Sequence, residues 1–282
     1  MPTPIDLVAR PLKSAIAGQV VALFNDAARD EAPVRKSADA MFGPHSATWR
    51  VHGDVTSMMV GGMSGLLLQM LHPAALAGVW DYSNFRDDMQ GRLRRTARFI
   101  AQTTYGPATD AEAAIARVRR IHDAVSGHLP DGTRYRASDP RLLAWVHVTE
   151  TTSFLAAWLR YGDPAMRGEE QDRYFAEMAR IGRALGADPV PESRREARRL
   201  IEAMRPELRY DDRTREVAGI LLNAPASRPA VEPVQALARQ AAIDLLPGWA
   251  RRMHGLTGSR AMSPLVRAGT RGVAETLRWA FR

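Results

Sequence analysis

The chain has no cysteine among its 282 residues. Disulfide bonds, thiolate metal centres and cysteine nucleophiles are therefore excluded. A metal site in this protein would have to rely on other ligands, of which the neutral imidazole of histidine is the commonest.

Lysine is almost absent too, since only Lys13 and Lys36 occur and arginine supplies the rest of the 39 basic residues. The formal net charge is +8. The arginines alternate with acidic residues, as in REARRLIEAMRPELRYDDRTRE, which is typical of a solvated helix face. No zinc finger or other nucleic-acid motif is present, so we expect no nucleic-acid partner.

Charge is missing altogether from residues 55–80, which contain no Asp, Glu, Lys or Arg. The segment is long enough for a membrane span, but it includes several glycines, Gln69, His72 and Pro73. A buried core helix is favoured, and peripheral contact with a membrane stays open. The N-terminus has Asp6 early and no cleavage site of a signal peptide, which indicates a cytoplasmic location.

Apolar residues repeat at helical spacing nearly everywhere, without convincing strand alternation or internal repeats. We therefore predict one all-α domain over residues 1–282, with a buried apolar central helix and a helical tail at 264–282. Asp139-Pro140 predicts a helix start and Gly162 its end. Thr109 with Glu112 resembles a capping box and predicts a helix that ends near Gly127. Further helices are predicted near 14–25, 169–186, 192–204, 212–223, 231–245 and 264–280.

Four residues of the segment GRLRRTARFIAQTTYG share one predicted helix face: Arg92, Arg95, Thr96 and Phe99. This face offers two guanidinium groups, a hydroxyl and an aromatic ring, which together favour an anion site. In the next predicted helix, His122 lies on an apolar stripe with Ile115, Val118 and Val125. An imidazole on such a stripe is a candidate metal ligand.

Two other histidines are candidates with different interpretations. His147 is followed by Glu150, giving H-x-x-E on a largely apolar helix. Di-iron bundles use Glu-x-x-His twice, with glutamates from two further helices, so a non-haem di-iron enzyme is an alternative. His72 precedes Pro73, which would break a helix there. This histidine either hydrogen-bonds the break or lines a cofactor pocket.

The blocks LHPAALAGV, RLRRTARFI, TYG, RVRRIH and YRASDPRLLAWVHVT occur in this order. The chain resembles, through these blocks, the bacterial and fungal family that contains the rubber oxygenase called latex clearing protein and the fungal oxygenase MpaB. The resemblance covers roughly residues 41–162, with weaker similarity at 247–249. It places a family-like core at about 41–250.

The resemblance implies a globin-like helical fold around a b-type haem. His122 is then the proximal iron ligand, with Arg92 and Thr96 near the haem. Arg95 stands where the rubber enzyme has a lysine, and an arginine does not readily deprotonate to bind iron. His72, His147 and Phe99 are further candidate pocket residues.

The implied function is a haem-b-dependent oxygenase that uses dioxygen on a hydrophobic small molecule or isoprenoid-like substrate. One departure from the rubber enzyme is that the stretch AALAGVW lacks its glutamate base. The missing acid keeps a second class open, namely a helical protein that binds haem or lipid without turnover.

Overall fold

The computed structural model describes residues 4–24, 32–225, 231–256 and 263–281, and these residues are mostly α-helical. The all-α prediction is confirmed. The helices in chain order are α1 (Pro4–Phe24), α2 (Ala47–His52), α3 (Val55–Gln69), α4 (Pro73–Tyr82), α5 (Met89–Tyr105), α6 (Ala108–Ala124), α7 (Pro140–Tyr161), α8 (Gly168–Leu185), α9 (Arg194–Met204), α10 (Asp212–Asn223), α11 (Glu232–Leu245), α12 (Gly248–Met253) and α13 (Ser263–Phe281).

One antiparallel hairpin interrupts the helices, with β1 (Ser126–His128) paired to β2 (Arg134–Arg136). The expectation of no strands was wrong here. Three residues per strand are too few for an alternation of apolar and polar residues to be recognised. The hairpin is anchored by Tyr135, which is buried and donates a hydrogen bond to Asp81 Oδ2 at 2.8 Å.

The two strongest helix-boundary predictions had different outcomes. Asp139 accepts hydrogen bonds from the amides of Arg141 and Leu142, and α7 ends before Gly162 as predicted. The capping box at Thr109 was wrong, because α6 begins at Ala108 with no side-chain cap. The Ala108 amide instead donates to the carbonyl of Asp39 at 2.8 Å, a partner distant in sequence.

Helices α3 and α7 form the centre of the fold and pack closely against each other. A Cβ on Gly61 would lie 2.9 Å from Cα of Phe154, and one on Gly65 would lie 3.4 Å from Cα of Glu150. At Gly61 the distance is too short for a real Cβ, so only glycine permits this approach, whereas a Cβ at Gly65 would make an ordinary van der Waals contact. The buried apolar central helix that was predicted is therefore α3, and α7 accompanies it with buried residues along its length.

The charge-free segment is divided at its histidine. His72 caps α4, and the chain turns by 105° between α3 and α4. Within the described ranges no single helix is long and apolar enough to cross a membrane, and only this bent pair reaches the required length and composition together.

The predicted tail is helix α13, which contacts α1, α3, α7 and α11. Its Arg267 donates to Asp244 Oδ2 at 2.7 Å, and Asp244 also accepts from Arg160 of α7 at 2.9 Å. These ion pairs attach the last helix to the centre of the fold.

Candidate active site

Helices α5 and α6 form an antiparallel hairpin that opens away from its connection. The two helices contact each other and are joined by only Gly106 and Pro107. On the face of α5 that was singled out, Thr103 near the link is buried, Phe99 is partly buried and Thr96 is exposed. Burial also decreases along the inward face of α6 with distance from the link, from the buried residue Ile115 to the partly buried His122.

Arg92 and His122 lie at this open end. Each is about four helical turns from the link, counted along its own helix. Both residues are therefore in the parts of their helices that are most distant in sequence from the link. Both the first arginine of the predicted anion site and the predicted metal ligand are partly buried, and their pairing stays a prediction.

His122 has an unsatisfied ring nitrogen. The ring is partly buried, and Nδ1 has no hydrogen-bond partner within the described part of the chain. Burial lowers the pKa of His122, with a smaller opposing effect of Asp123. The imidazole is therefore neutral at pH 7, which is the form that binds metals.

Arg92 is a guanidinium without a counter-ion. It is partly buried, and none of the carboxylates in the described ranges forms an ion pair with it. Burial, followed by repulsion from Arg95, lowers the pKa of Arg92 to about 10. A desolvated cation of this kind gains most from a bound anion such as a carboxylate.

The other three residues of the predicted α5 face have partners in the protein. Arg95 is exposed, donates to Asn84 Oδ1 at 3.0 Å and lies 3.6 Å from Asp88 Oδ2. Thr96 donates to the carbonyl of Arg92 at 3.3 Å. Phe99 packs against an apolar cluster of Phe42, Ile115 and Ile181. The structure therefore places Arg92 and Phe99 inward, and Arg95 and Thr96 towards solvent.

His72 and His147 take part in other regions of the fold. His72 Nδ1 accepts a hydrogen bond from the Ala74 amide at 3.3 Å, as expected for a histidine at a helix break. Burial lowers the pKa of His72, an effect opposed by Glu207. His147 is buried at the contact of α7 with α8, where its ring lies 3.0 Å from the place a Cβ of Gly182 would take. Burial lowers the pKa of His147 to about 4.

A groove of about 440 Å³ borders the same end of α6 on another side of the helix. Its lining residues are Tyr82, Arg117, Arg120, Ile121, Ala124 and Val125. His122 is not among them, because it follows Ile121 directly and points about 100° away around the helix.

Sequence reasoning missed a buried hydrogen-bond chain centred on His52. Its Nδ1 lies 2.8 Å from Thr104 Oγ1, and its Nε2 lies 2.9 Å from Tyr174 Oη. Burial lowers the pKa of His52 to about 3, so the ring is neutral and donates at only one of these contacts. No sequence signal identifies this chain, because the two partners lie 52 and 122 residues away.

Glu150 differs from the other enclosed acids. Burial raises the pKa of Glu150 to about 7, and it has no hydrogen-bond or ion-pair partner in the part of the chain that the structure describes. Every other described carboxylate that is buried or partly buried has a partner. These are Asp54, Asp88, Asp163, Glu170, Asp172, Glu177, Glu207, Glu232 and Asp244.

The di-iron alternative lacks its ligand set. Across the described ranges, no three or more side chains of His, Cys, Asp or Glu are grouped so that they could hold a metal ion. A di-iron centre needs several carboxylates in addition to His147 and Glu150. A haem iron is held by the porphyrin and one protein ligand, so this finding does not bear on haem.

Comparison with known proteins identifies the family. The model of the family described as ER-bound oxygenase mpaB/B'/rubber oxygenase, catalytic domain, matches residues 49–279. The chain therefore belongs to this family of oxygenases, and the resemblance stated from the sequence blocks is confirmed. The match continues far beyond residue 162 and includes α8 to α13. No curated protein and no solved structure matches the chain.

Proposed function

We propose that the protein is a haem-b-dependent oxygenase that uses dioxygen to oxidise a hydrophobic small molecule or isoprenoid-like substrate, with His122 as the proximal iron ligand. The observation that carries the proposal is the open end of the α5–α6 hairpin. One helix of this pair carries a neutral histidine with an unsatisfied nitrogen, and the other carries a desolvated arginine that forms no ion pair within the described residues.

The residues at this end suit the two chemical parts of a haem. His122 supplies a neutral imidazole for the iron. Arg92 supplies a guanidinium fork for a propionate carboxylate, which would restore the charge pairing that the guanidinium lacks. Phe99 and its apolar cluster lie one to two turns further into the hairpin and would exclude water from the porphyrin face. Haem, when bound, supplies the activation of dioxygen that these side chains cannot provide.

Arg95 and Thr96 have subordinate roles in this proposal. An arginine does not readily deprotonate to bind a metal, so Arg95 would not serve as an iron ligand. Its contacts with Asn84 and Asp88 hold the guanidinium at the mouth of the hairpin. Thr96 offers a hydroxyl that is already bonded to the backbone and can donate elsewhere by rotation.

The test is the visible absorption spectrum of the purified protein supplied with haem, together with a pyridine haemochrome assay for bound porphyrin. Wild type is expected to bind one haem and to show a Soret band that is lost or shifted in His122→Ala. His128→Ala is the matched control, because His128 is exposed and only six residues away. Absence of haem binding by wild type, or an unchanged spectrum in His122→Ala, would contradict the proposal.

Turnover is tested separately by dioxygen uptake in the presence of apolar substrates. An oxygenase consumes dioxygen only when a substrate is added, whereas a protein that merely binds haem or lipid shows no uptake above the background of free haem. The family assignment favours the first outcome.

A further inference from the structure

The groove beside α6 lies where the ends of α4 and α6 meet. Tyr82, the last residue of α4, lines one side, and its hydroxyl donates to the carbonyl of Ser126 at 2.7 Å. Val125 follows the last residue of α6, and its Cγ1 lies 3.8 Å from the place that a Cβ of Gly78 in α4 would take. The volume of about 440 Å³ falls in the range of small-molecule sites, which is roughly 300–1,000 Å³.

The apolar part of the groove is left open to solvent. Tyr82 and Ile121 are 55% and 54% exposed, and the other large apolar side chains that are exposed in the described ranges lie on α1, α11 and α13. Ala124 lies one turn after Ile121 on the same face of α6 and is exposed too. A ligand that covers these side chains removes apolar surface from water, which favours its binding.

Two guanidinium groups lie at the other end of the groove. Arg117 lies one turn before Ile121, and Arg120 is three residues after Arg117, so the two arginines share a face of α6. Both are exposed, and neither forms an ion pair or a hydrogen bond within the described part of the chain. Like charges at this spacing repel each other. An anion bound by both groups removes this repulsion and gains charge-assisted hydrogen bonds.

The acidic residues close by in sequence do not compensate this charge. Asp81 accepts a hydrogen bond from the Tyr135 hydroxyl at 2.8 Å. Asp123 follows Ile121 by two residues and therefore points about 200° away around the helix. Asp110 lies on the same face as Arg117, but two turns earlier, which is about 10 Å along the helix axis. The groove thus combines an uncompensated positive end with an apolar end.

We propose that this groove binds a free carboxylic acid with a long apolar chain. The carboxylate pairs with Arg117 and Arg120, whose planar guanidinium groups match its two oxygens. The chain lies along Ile121 and Ala124 towards Tyr82. A membrane surface would instead favour apolar side chains that project from the protein, whereas these line a concave site. The inference goes beyond the proposed function and does not depend on haem, because His122 lies on another side of α6.

The first arm of the test measures the contribution of charge. Calorimetric titration of the purified full chain, supplied with haem, with decanoate should show one saturable site. The double variant Arg117→Gln with Arg120→Gln should bind decanoate about tenfold more weakly or worse. The matched control is Arg195→Gln with Arg198→Gln, which alters two exposed arginines at the same spacing on α9 and should leave the affinity unchanged. No binding by wild type, or equal losses in the two double variants, would overturn the proposal.

The second arm measures the contribution of the chain. Acetate carries the same charge without the apolar part and should bind at least about 100-fold more weakly than decanoate. Ile121→Ser should weaken decanoate binding by about three- to tenfold. Val234→Ser, at an exposed apolar position of α11, should not change it. Equal affinities for acetate and decanoate would show a general anion site, and equal effects of the two serine variants would remove Ile121 from the site.

The third arm separates this groove from the haem site and from a membrane. The Soret band should stay unchanged at saturating decanoate, and release of haem or a shifted band would place the carboxylate at the iron instead. If the protein binds no haem, the titrations still measure the groove, so that result would contradict only the proposed function. Sedimentation with anionic vesicles that depends on Arg117 and Arg120, without binding of free decanoate, would assign this surface to a membrane and overturn the proposal.

Discussion

Arg278 of the last helix donates its Nε–H to Oδ2 of Asp54 at 2.7 Å, and Asp54 is also the residue that caps α3 by accepting from the Ser57 amide at 2.8 Å. The same guanidinium donates to the carbonyl of Tyr161 at the end of α7. One side chain near the C-terminus therefore joins the two central helices.

Replacement of this arginine should destabilise the protein. In Arg278→Met the carboxylate of Asp54, which is only 4% exposed, loses its cation inside the protein. We expect a loss of about 3 kcal/mol in the free energy of unfolding, measured with urea. Arg215→Met is the control, since Arg215 and Asp212 are 65% and 92% exposed and should change stability by less than about 0.5 kcal/mol. Equal effects of the two substitutions would show that the Asp54 pair has no special importance.

The close contact of α3 with α7 at Gly61 predicts that alanine destabilises the protein there, whereas alanine at a glycine in open space stabilises it. Gly61→Ala places a methyl group 2.9 Å from Cα of Phe154, so the central helices must separate at a cost of about 1–3 kcal/mol. Gly219→Ala in α10 meets open space and should stabilise the protein by about 0.5–1 kcal/mol through helix propensity. Thermal unfolding of both variants checks the contact, and a neutral Gly61→Ala would contradict it.

Glu150 should make stability depend on pH in a defined direction. Its pKa is raised from 4.5 to about 7 in the folded protein, so folding is penalised above pH 4.5, and the penalty is fully present above pH 7. Glu150→Gln removes the penalty. It should stabilise the protein by about 3 kcal/mol at pH 8 and by less than about 1 kcal/mol at pH 5. Denaturant titrations at the two pH values measure the difference, and a gain that does not grow with pH would count against the enclosed carboxyl.

Buried histidine should affect the pH dependence of stability in the opposite direction to Glu150, so that the free energy of unfolding falls as the pH is lowered. The pKa of His147 falls from 6.5 to about 4 on folding. Between these two values the unfolded chain binds a proton at this residue and the folded protein does not, so the free energy of unfolding decreases as the pH drops below 6.5. The expected loss is about 2 kcal/mol between neutral pH and pH 5. His147→Gln should reduce this slope, and His45→Ala, at an exposed position, should not. The check is the unfolding free energy measured at both pH values.

The two arginines at the mouth of the hairpin should differ in their effect on haem affinity. Arg92→Met removes the desolvated guanidinium that lacks a counter-ion and should weaken haem binding by about 10- to 100-fold. Arg95→Met removes a guanidinium that is already paired at the surface and should change affinity by less than about threefold. Haem titrations followed by absorbance compare them, and equal losses would contradict the inward placement of Arg92.

The parts of this fold that could be predicted depend on local signals. Asp139-Pro140 and Gly162 determine the ends of α7 because caps act within four residues. The capping box at Thr109 failed because the Ala108 amide found a partner in Asp39, which no local pattern reveals. The β1–β2 hairpin was missed because its strands are short.

In the candidate site, too, some properties follow from local sequence patterns and others only from the packing of distant residues. The partial burial of Arg92 and His122 agrees with their positions on the predicted inward faces, whereas their pairing stays a prediction. The outward position of Arg95 depends on Asn84 and Asp88 in the preceding turn, and the isolation of Glu150 depends on the whole surrounding of α7. Such properties arise only from packing.

The central claim, that His122 holds the haem iron, is tested most directly by replacing its side chain with free imidazole. His122→Gly purified with haem should lack the Soret band of wild type and the substrate-dependent dioxygen uptake. Added imidazole should restore both, while the same addition to His128→Gly should change nothing. If His122→Gly keeps the wild-type spectrum without imidazole, the iron is held elsewhere and the assignment is wrong.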